Sequence, residues 1–310
     1  PLAADARKFW CDISQKKDVA PYVLFTGGFD YRKNVDGAID AFALAQKRHS
    51  DDTAFSRYKL VIVGKYDAAT KTVYDKMIAD RGISDRVILT GFVSDQELSE
   101  LYHNAEFFFF PSRYEGFGLP ILEAMLSGNY VISADNSSLP EVCGGYATMF
   151  NADSTEDAAE ALYAGVQAHS AETPEQILAR QEYALSFSWD KTAQLTLEAM
   201  ESGNDSISEM PTLAIFTPWP EQQTGIANYE YKLAPYLAKY FQITIFVDHT
   251  DKVPLRTQKG IAVKMMEDWT GEEKYDYKIF QLGNNVEFHK RIFELQEKEG
   301  GIAEIHDLVL

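Results

Sequence analysis

One short segment, between a continuous apolar run and an amphipathic stretch, carries the most chemistry in this sequence. It covers residues 111–123 and runs Pro-Ser-Arg-Tyr-Glu-Gly-Phe-Gly-Leu-Pro-Ile-Leu-Glu. Gly116 and Gly118 let a ligand approach the backbone closely, and the N–H groups that open the following helix can hold phosphate oxygens. Glu115 and Glu123 can accept hydrogen bonds from sugar or ribose hydroxyls. The segment predicts a ligand site; the alternative is that its glycines serve packing and its two glutamates recur by chance in an acidic chain.

A second strand-to-helix turn, residues 26–34, holds two adjacent cations. Its sequence is Thr-Gly-Gly-Phe-Asp-Tyr-Arg-Lys-Asn, so Arg32 and Lys33 follow Gly27 and Gly28. Arginine binds phosphate through a planar fork and lysine as a point charge, and the pair therefore suits a diphosphate. A solvated basic pair on a loop is the alternative. Because α/β sheets bind ligands at the carboxyl ends of their strands, we expect both turns to face one crevice.

Two further strand ends are weaker candidates for the same crevice. One apolar run ends in Gly64 and Lys65, and another ends in Gly91, Phe92 and Val93. Glycine at a strand end is also the ordinary punctuation of an α/β fold. Gly64 and Val93 are therefore weaker candidates, and the prediction that they line the crevice depends on the two stronger turns.

The part of the chain after residue 210 carries its own, less specific set. A long turn over residues 217–227 precedes a helical stretch and contains Gly225, and long loops often carry function. His306 ends the last apolar run, and imidazole is the natural proton-transfer group near neutral pH, although a lone histidine is more often structural. The six histidines and two cysteines show no ligand spacing, so no metal site is predicted.

The pattern between these motifs predicts the elements that hold them. Short continuous apolar runs alternate with amphipathic stretches, as expected for strands covered by helices on both faces. The alternation predicts an α/β protein with parallel, doubly wound sheets. Strands are predicted over residues 22–26, 59–64, 86–90, 105–111, 130–133, 213–217, 243–247, 277–282 and 302–306. Helices are predicted over residues 35–49, 72–81, 95–104, 120–127, 155–169, 174–186, 189–200, 226–240 and 287–299.

Two domains are expected, separated by a polar segment that contains glycine. That segment covers residues 201–210 and indicates a linker. It follows a leading segment, 1–20, and a first domain, 21–200, and it precedes a second domain, 211–310. The second domain is short for this fold and ends directly after a strand, which leaves a sheet edge or face uncovered. Together with the start at Pro1, without a signal segment, this predicts a piece of a longer protein.

Composition narrows the class of protein. A chain of 310 residues with 45% apolar and 25% charged residues is typical of a soluble globular protein of about two domains. The net charge is 29 − 47 = −18, which repels polyanions, so no nucleic-acid partner is expected. Cys11 and Cys143 form no disulfide framework, in keeping with a reducing compartment. No apolar run approaches the roughly 18–20 residues of a membrane span.

With these residues in view, the stretch 23–200 resembles the carboxyl-terminal, donor-binding domain of the family 4 retaining glycosyltransferases, in the glycogen-synthase-like superfamily. The resemblance rests above all on Glu115 and Glu123, which match the family's Glu-x7-Glu element in position and setting. It implies the GT-B fold of two facing Rossmann-like domains. Residues 212–310 resemble the start of an amino-terminal, acceptor-side domain: residues 224–229 match its first glycine loop, and His306-Asp307 a strand end that faces the transferred sugar.

The resemblance also implies roles for individual residues. Glu123 would bind the ribose of a nucleotide-sugar, and Lys33 its diphosphate, with Arg32 in place of an arginine that the family has where Gly28 stands. Glu115 would meet the sugar and phosphates together with the backbone of Phe117, Gly118 and Leu119. The remaining crevice residues would be Gly27, Gly28, Gly64 and Val93, and Gly225 and His306 would belong to the site of the second domain.

The order of the two domains departs from that of one such enzyme, in which the acceptor-side domain comes first. The simplest expectation is a fragment across two tandem units, and a circular permutation is the rarer alternative. Tandem units of this type resemble bacterial enzymes that build surface polysaccharides. The resemblance therefore suggests GDP-mannose as donor, a glycan or glycolipid acceptor, and action in the cytoplasm or, through missing parts, at the inner face of the membrane.

The expected activity is hexosyl transfer with retention of anomeric configuration and without a metal or organic cofactor. The leaving diphosphate would be stabilised by Lys33, Arg32 and helix N-terminal amides, which are preorganised for the charge that develops on it. His306 would then serve a different catalytic unit from Glu115. The alternatives are a non-catalytic nucleotide-sugar-binding or scaffold module, and an epimerase of the GT-B fold.

Overall fold

A computed structural model describes residues 20–201, 210–222, 224–248, 256–283 and 285–306. The chain divides between Ser186 and Phe187 into two compact units. Each unit is built on one parallel sheet, with helices between most pairs of successive strands, so the predicted α/β class is confirmed.

The first unit contains a six-stranded parallel sheet in the order β3-β2-β1-β4-β5-β6. Its strands are β1 (Tyr22–Thr26), β2 (Lys59–Val63), β3 (Val87–Gly91), β4 (Phe107–Phe110), β5 (Tyr130–Ala134) and β6 (Ala147–Phe150). Every residue of β1 and β4 is buried, as continuous apolar runs require. The chain reverses its direction across the sheet between β1 and β4, and ligands bind outside the strand ends at such a switch point.

Five helices connect these strands and two more follow the last strand, and polar caps fix where several of the helices begin. They are α1 (Val35–Arg48), α2 (Ala68–Asp80), α3 (Asp95–Asn104), α4 (Leu119–Leu126), α5 (Leu139–Cys143), α6 (Thr155–Ser170) and α7 (Pro174–Leu185). Ser94 and Glu97 form a reciprocal capping box at the start of α3, and the Ser154 side chain caps α6. Both caps place acceptors on N–H groups that the first helical turn leaves unpaired.

The second unit repeats the arrangement on a five-stranded parallel sheet in the order β11-β10-β7-β8-β9. Its elements are α8 (Trp189–Glu201), β7 (Thr212–Phe216), α9 (Gly225–Leu237), β8 (Gln242–Val247), β9 (Ala262–Met265), β10 (Tyr277–Leu282), α10 (Val286–Glu299) and β11 (Ile302–Ile305). Single turns of 3₁₀-helix lie in the two units at Tyr31–Lys33, Phe55–Arg57, Pro220–Gln222 and Met266–Asp268. The chain reverses direction across this sheet between β7 and β10.

Helix α8 packs with the second unit, whereas the sequence pattern placed residues 189–200 in the first domain. Ala193 and Met200 of α8 are buried in the same apolar cluster as Leu233 and Leu237 of α9. Apolar contact therefore sets the division between the units ahead of this helix, rather than the polar composition of the segment after it. Most of the predicted linker, 202–209, and most of the leading segment, 1–19, lie outside the described residues.

Among the strands and α-helices of the described residues, the sequence pattern missed three, the strands β6 and β9 and the short helix α5. Each of the two strands lies at an edge of its sheet, and their side chains are mostly half-buried or exposed. An edge strand does not need the continuous apolar run of a strand covered on both faces. At the opposite edge of the second sheet lies β11, in which Ile302, Ala303 and Ile305 are exposed.

A backbone contact joins the ends of β1 and β2. The Gly27 N–H donates to the Val63 carbonyl at 2.9 Å, and a Cβ added at Gly64 would lie 1.9 Å from the Gly27 carbonyl oxygen. Since a carbonyl oxygen cannot rotate away as a side-chain end can, the two strand ends approach this closely only with glycine at position 64.

We expect Gly64→Ala to destabilise the first unit by about 1–3 kcal/mol, the usual cost of forced overpacking. Gly28→Ala is the matched control, because its Cβ would meet only the end of the Asp30 side chain, at 3.2 Å. The measurement is thermal unfolding followed by circular dichroism. Equal transition temperatures for the two variants would contradict the proposed packing constraint.

Candidate functional site

An ion pair joins the loops that follow the two central strands of the first sheet. Lys33 Nζ donates to Glu115 Oε1 at 2.5 Å, and the two side chains are only 16% and 10% exposed. The same ammonium lies 5.5 Å from the ring centroid of Phe110, at the end of β4. The structure thus brings two of the predicted site residues, from separate turns, into direct contact at the switch point.

Two residues that the motif analysis did not single out also tie these loops together. The backbone N–H of Arg113 donates to the Arg32 carbonyl at 2.7 Å, and its guanidinium donates to the Tyr31 carbonyl at 3.0 Å. Asn34, which is buried, donates through Nδ2 to the Pro111 carbonyl at 3.0 Å. These bonds fix the positions of both loops, so the site is largely preformed.

The predicted basic pair does not form a local surplus of positive charge. Lys33 lies against Glu115, and Arg32 Nε lies 3.4 Å from Asp30 Oδ1. Arg113 in turn lies near a carboxylate of α1, 3.6 Å from Asp36 Oδ2. The ion pairs described at these loops therefore alternate cation and carboxylate, which suits a ligand that carries both anionic and hydroxyl groups.

Two serines support the turn that carries Glu115. The Glu115 N–H donates to Ser137 Oγ at 3.1 Å, and Ser138 Oγ donates to the carbonyls of Glu115 and Phe117 at 3.1 and 2.8 Å. Gly118 caps α4 with φ +110°, a conformation that favours glycine. The turn is therefore held by side chains from the segment before α5, which sequence spacing does not reveal.

Glu123 lies on the exposed side of α4 and is held by a buried phenol. The Tyr102 hydroxyl donates to Glu123 Oε2 at 3.1 Å and lies 3.2 Å from Thr26 Oγ1, at the end of β1. Burial, followed by the charge of Glu123, raises the pKa of Tyr102 well above its usual range. The phenol consequently stays protonated and remains a donor at any ordinary pH.

The other residues predicted for the crevice divide into exposed and buried positions. Phe117 and Leu119 flank the start of α4 and are 42% and 47% exposed, so both are accessible to a ligand. Val93 follows β3 and is buried, whereas Phe92 beside it is 76% exposed. Gly28 lies in the loop after β1, between Gly27 and the 3₁₀ turn that holds the two cations.

In the second unit, His306 belongs to a polar cluster at the end of the sheet. Gln281 Nε2 donates to Glu230 Oε2 at 2.8 Å and to Glu304 Oε2 at 2.9 Å, and Gln281 Oε1 pairs with His306 Nε2. Because an amide oxygen only accepts, His306 Nε2 carries a proton in this arrangement. The ring of Tyr229 lies 5.1 Å from the imidazole, edge to face.

Gly225 opens α9 of the same unit, one turn before this cluster. The Thr224 side chain accepts from the Ala227 N–H at 3.0 Å and so caps the helix. Asp307, the second half of the predicted His-Asp strand end, lies outside the described residues.

Glu230 is a fully buried acid that sequence reasoning missed. It is completely inaccessible to solvent, and burial, together with the charge of Glu304, raises its pKa to about 8. The carboxyl group is therefore mostly protonated at neutral pH. A glutamate in the second turn of an amphipathic helix gives no sign of this in the sequence, because the burial comes from α9 packing on the sheet.

We expect Glu230→Gln to remove a pH dependence from the stability of the second unit. Between an unfolded pKa of about 4.3 and a folded pKa of about 8, the folded unit keeps a proton that the unfolded unit releases. The free energy of unfolding of the wild type should accordingly fall as the pH rises through this interval. Fluorescence reports on this unit, since Trp219 and Trp269 are both buried there.

Urea unfolding at pH 5, 6.5 and 8 measures that slope. Glu287→Gln, an exposed change on α10, is the control and should keep the slope of the wild type. A Glu230→Gln variant whose stability falls with pH as steeply as the wild type would contradict the assignment.

No group of three or more His, Cys, Asp or Glu side chains among the described residues could hold a metal ion. No helix in the described part of the chain is long and apolar enough to cross a membrane. The Cys143 thiol is free and buried, and Cys11 lies outside the described residues.

Comparison with known proteins places these features in a family context. Residues 7–172, more than half of the chain, match the family model for glycosyl transferases group 1. The chain is 32% identical over 187 residues to the serotype-specific mannosyltransferase WbdA of Escherichia coli, a match that covers 57% of this chain and 21% of WbdA. It is 31% identical over 144 residues to the GDP-mannose:cellobiosyl-diphosphopolyprenol alpha-mannosyltransferase of Xanthomonas oryzae pv. oryzae, covering 46% and 36% of the two chains.

Among solved structures, the fold is similar to that of sucrose-phosphate synthase from Thermosynechococcus elongatus. The TM-score is 0.50 at 22% identity, over 62% of this chain and 49% of that chain. At this identity the similarity concerns the fold alone. The matches to the two mannosyltransferases cover about a fifth and about a third of the relatives' own lengths.

Proposed function

The chain belongs to the group 1 glycosyl transferases, and from that membership we propose that its first unit binds a nucleotide-diphosphate sugar as the donor for hexose transfer to a glycan. The observation that carries the proposal is the contact between Lys33 and Glu115 at the switch point of the sheet. A cation and a carboxylate from two turns meet there, at the place where sheets of this topology bind ligands.

Lys33 is proposed to hold the donor diphosphate. An ammonium group has three N–H donors, so one can remain on Glu115 while others bind phosphate oxygens. Arg32 and the N-terminal amides of α4 are proposed to add further donors. Charge that builds up on the diphosphate as the glycosidic bond breaks would then meet donors that are already in place.

Glu115 is proposed to accept hydrogen bonds from hydroxyls of the transferred sugar, and Glu123 from the ribose. Lys33 compensates the charge of the Glu115 carboxylate in its mostly buried position, and hydrogen bonds to a charged acceptor are the stronger ones. Phe117 and Leu119 are exposed beside the start of α4 and offer apolar surface and main-chain groups to the same ligand.

The relatives suggest the identity of the sugar. One is named as a mannosyltransferase, and another as an enzyme that uses GDP-mannose, so we propose GDP-mannose as donor and a glycan or glycolipid as acceptor. Transfer is proposed to retain the anomeric configuration and to use no metal or organic cofactor. The second unit is proposed to be the start of an acceptor-side domain, whose His306 serves a catalytic unit other than that of Glu115.

Glu123→Ala is expected to weaken binding of the preferred nucleotide by about 1–3 kcal/mol, because ribose hydroxyls would lose their acceptor. Calorimetry with GDP-, UDP- and ADP-sugars identifies the base and measures the loss. Glu182→Ala, an exposed change on α7, is the control and should bind like the wild type. A wild-type protein that binds none of these nucleotides would contradict the donor site.

Lys33→Met is expected to weaken binding of GDP at least tenfold more than binding of guanosine, because only the diphosphate is proposed to contact the ammonium. Lys47→Met, an exposed cation on α1, changes the net charge equally and should leave both affinities unchanged. Competition binding with a fluorescent GDP analogue measures both ligands. An equal loss for GDP and guanosine would show that the variant disturbs the fold of the loop rather than a phosphate contact.

A further inference from the structure

Three polar side chains from separate elements form a continuous chain of hydrogen bonds in the first unit. Thr26 is the last residue of β1, Tyr102 lies on α3, and Glu123 lies on α4. The Tyr102 hydroxyl is 3.2 Å from Thr26 Oγ1 and 3.1 Å from Glu123 Oε2. Thr26 and Tyr102 are buried, so the chain runs from the interior of the sheet to the edge where the donor is proposed to bind.

The chemistry of the groups gives this chain a single direction. A carboxylate only accepts, and the Tyr102 hydroxyl has one proton to donate. That proton goes to Glu123, while the Pro120 carbonyl at 3.5 Å is a more distant second acceptor. The Tyr102 oxygen is then an acceptor towards Thr26, whose hydroxyl must donate.

The phenol is well suited to hold another side chain in place. Its ring is buried against Phe108, with 5.5 Å between the ring centroids, and tyrosine has few rotatable bonds to order. Glu123 by contrast lies on the exposed side of α4, and a fixed donor at its Oε2 lowers the conformational entropy that the side chain loses on ligand binding.

We propose that Tyr102, supported by Thr26, is a positioning residue that fixes the Glu123 carboxylate in the orientation that accepts both ribose hydroxyls. The inference rests on the proposed donor site. It adds the reason why that site would prefer a nucleotide whose ribose carries both hydroxyls. Tyr102 does not touch the ligand in this proposal and acts only through Glu123.

The test compares two ligands that differ only in those hydroxyls, GDP and 2′,3′-dideoxy-GDP. Tyr102→Phe removes the donor and keeps the ring, and it should weaken GDP binding about fivefold to tenfold, in line with the net contribution of one hydrogen bond. Binding of the dideoxy analogue should change by less than about twofold, because that ligand does not use Glu123. Tyr58→Phe, a second buried tyrosine of the same unit, is the control and should leave both affinities unchanged.

A double-mutant cycle separates action through Glu123 from an independent effect. Tyr102→Phe combined with Glu123→Ala should bind GDP no more weakly than Glu123→Ala alone. Thr26→Val keeps the volume of the side chain and provides a second variant. It should weaken GDP binding less than Tyr102→Phe does and should leave binding of 2′,3′-dideoxy-GDP unchanged.

Four results would overturn the inference. Equal losses for GDP and its dideoxy analogue would show that Tyr102 only supports the fold, and additive losses in the double variant would show that it acts independently of Glu123. If Glu123→Ala binds GDP as tightly as the wild type while Tyr102→Phe binds it more weakly, Tyr102 does not act through Glu123. If the wild type binds no nucleotide at all, the proposed donor site is wrong, and so is the proposed role of Tyr102.

Discussion

The ion pair between Lys33 and Glu115 is the contact on which the proposed donor-binding edge of the first unit depends. Both groups are mostly withdrawn from water, and each would be costly to bury alone, because desolvation of a charge is repaid only by a close partner. The loops after β1 and β4 must therefore close on each other. Arg113 and Asn34 add hydrogen bonds to main-chain carbonyls across the same gap, so the geometry at the strand ends is set before any ligand arrives.

This arrangement also bears on ligand selection. The chain carries a net charge of −18, and the ion pairs at these loops balance cation against carboxylate instead of forming a basic patch. A bare phosphate would gain contacts with Lys33 but meet repulsion from Glu115. A nucleotide-sugar offers anionic oxygens to the cation and hydroxyls to the carboxylate, so both charges gain partners. In the proposed function, discrimination arises from the unfavourable contact as much as from the favourable one.

Much of the fold follows from local sequence. The features that do not follow from it depend on which elements pack against each other. The bounds of β1, α3 and β10 agree with those predicted from apolar runs and caps, because each of these patterns is complete within its own segment. The edge strands β6 and β9 have no such pattern, since a strand with one open side needs neither continuous apolar residues nor strong propensity. Helix α8 is predicted correctly as a helix, yet the unit on which it packs depends on Leu233 and Leu237, which lie beyond the polar segment.

The residues of the candidate site likewise include some that local sequence reveals and others that only the structure reveals. Turn motifs identify the residues able to meet a ligand, such as Lys33 and Glu115, because glycines and charged groups at a strand end are a local feature. Residues that act through others have no local signature: Tyr102 reaches Thr26 across 76 positions of the chain, and Gln281 reaches Glu230 across 51. In each unit one of the missed residues is a buried hydrogen-bonding side chain in contact with a predicted one: Tyr102 contacts Glu123 in the first unit, and Gln281 contacts His306 in the second. Buried polar groups need hydrogen-bond partners. A polar motif residue beside the core is therefore expected to have a buried partner, and only the packed structure shows which side chain that partner is.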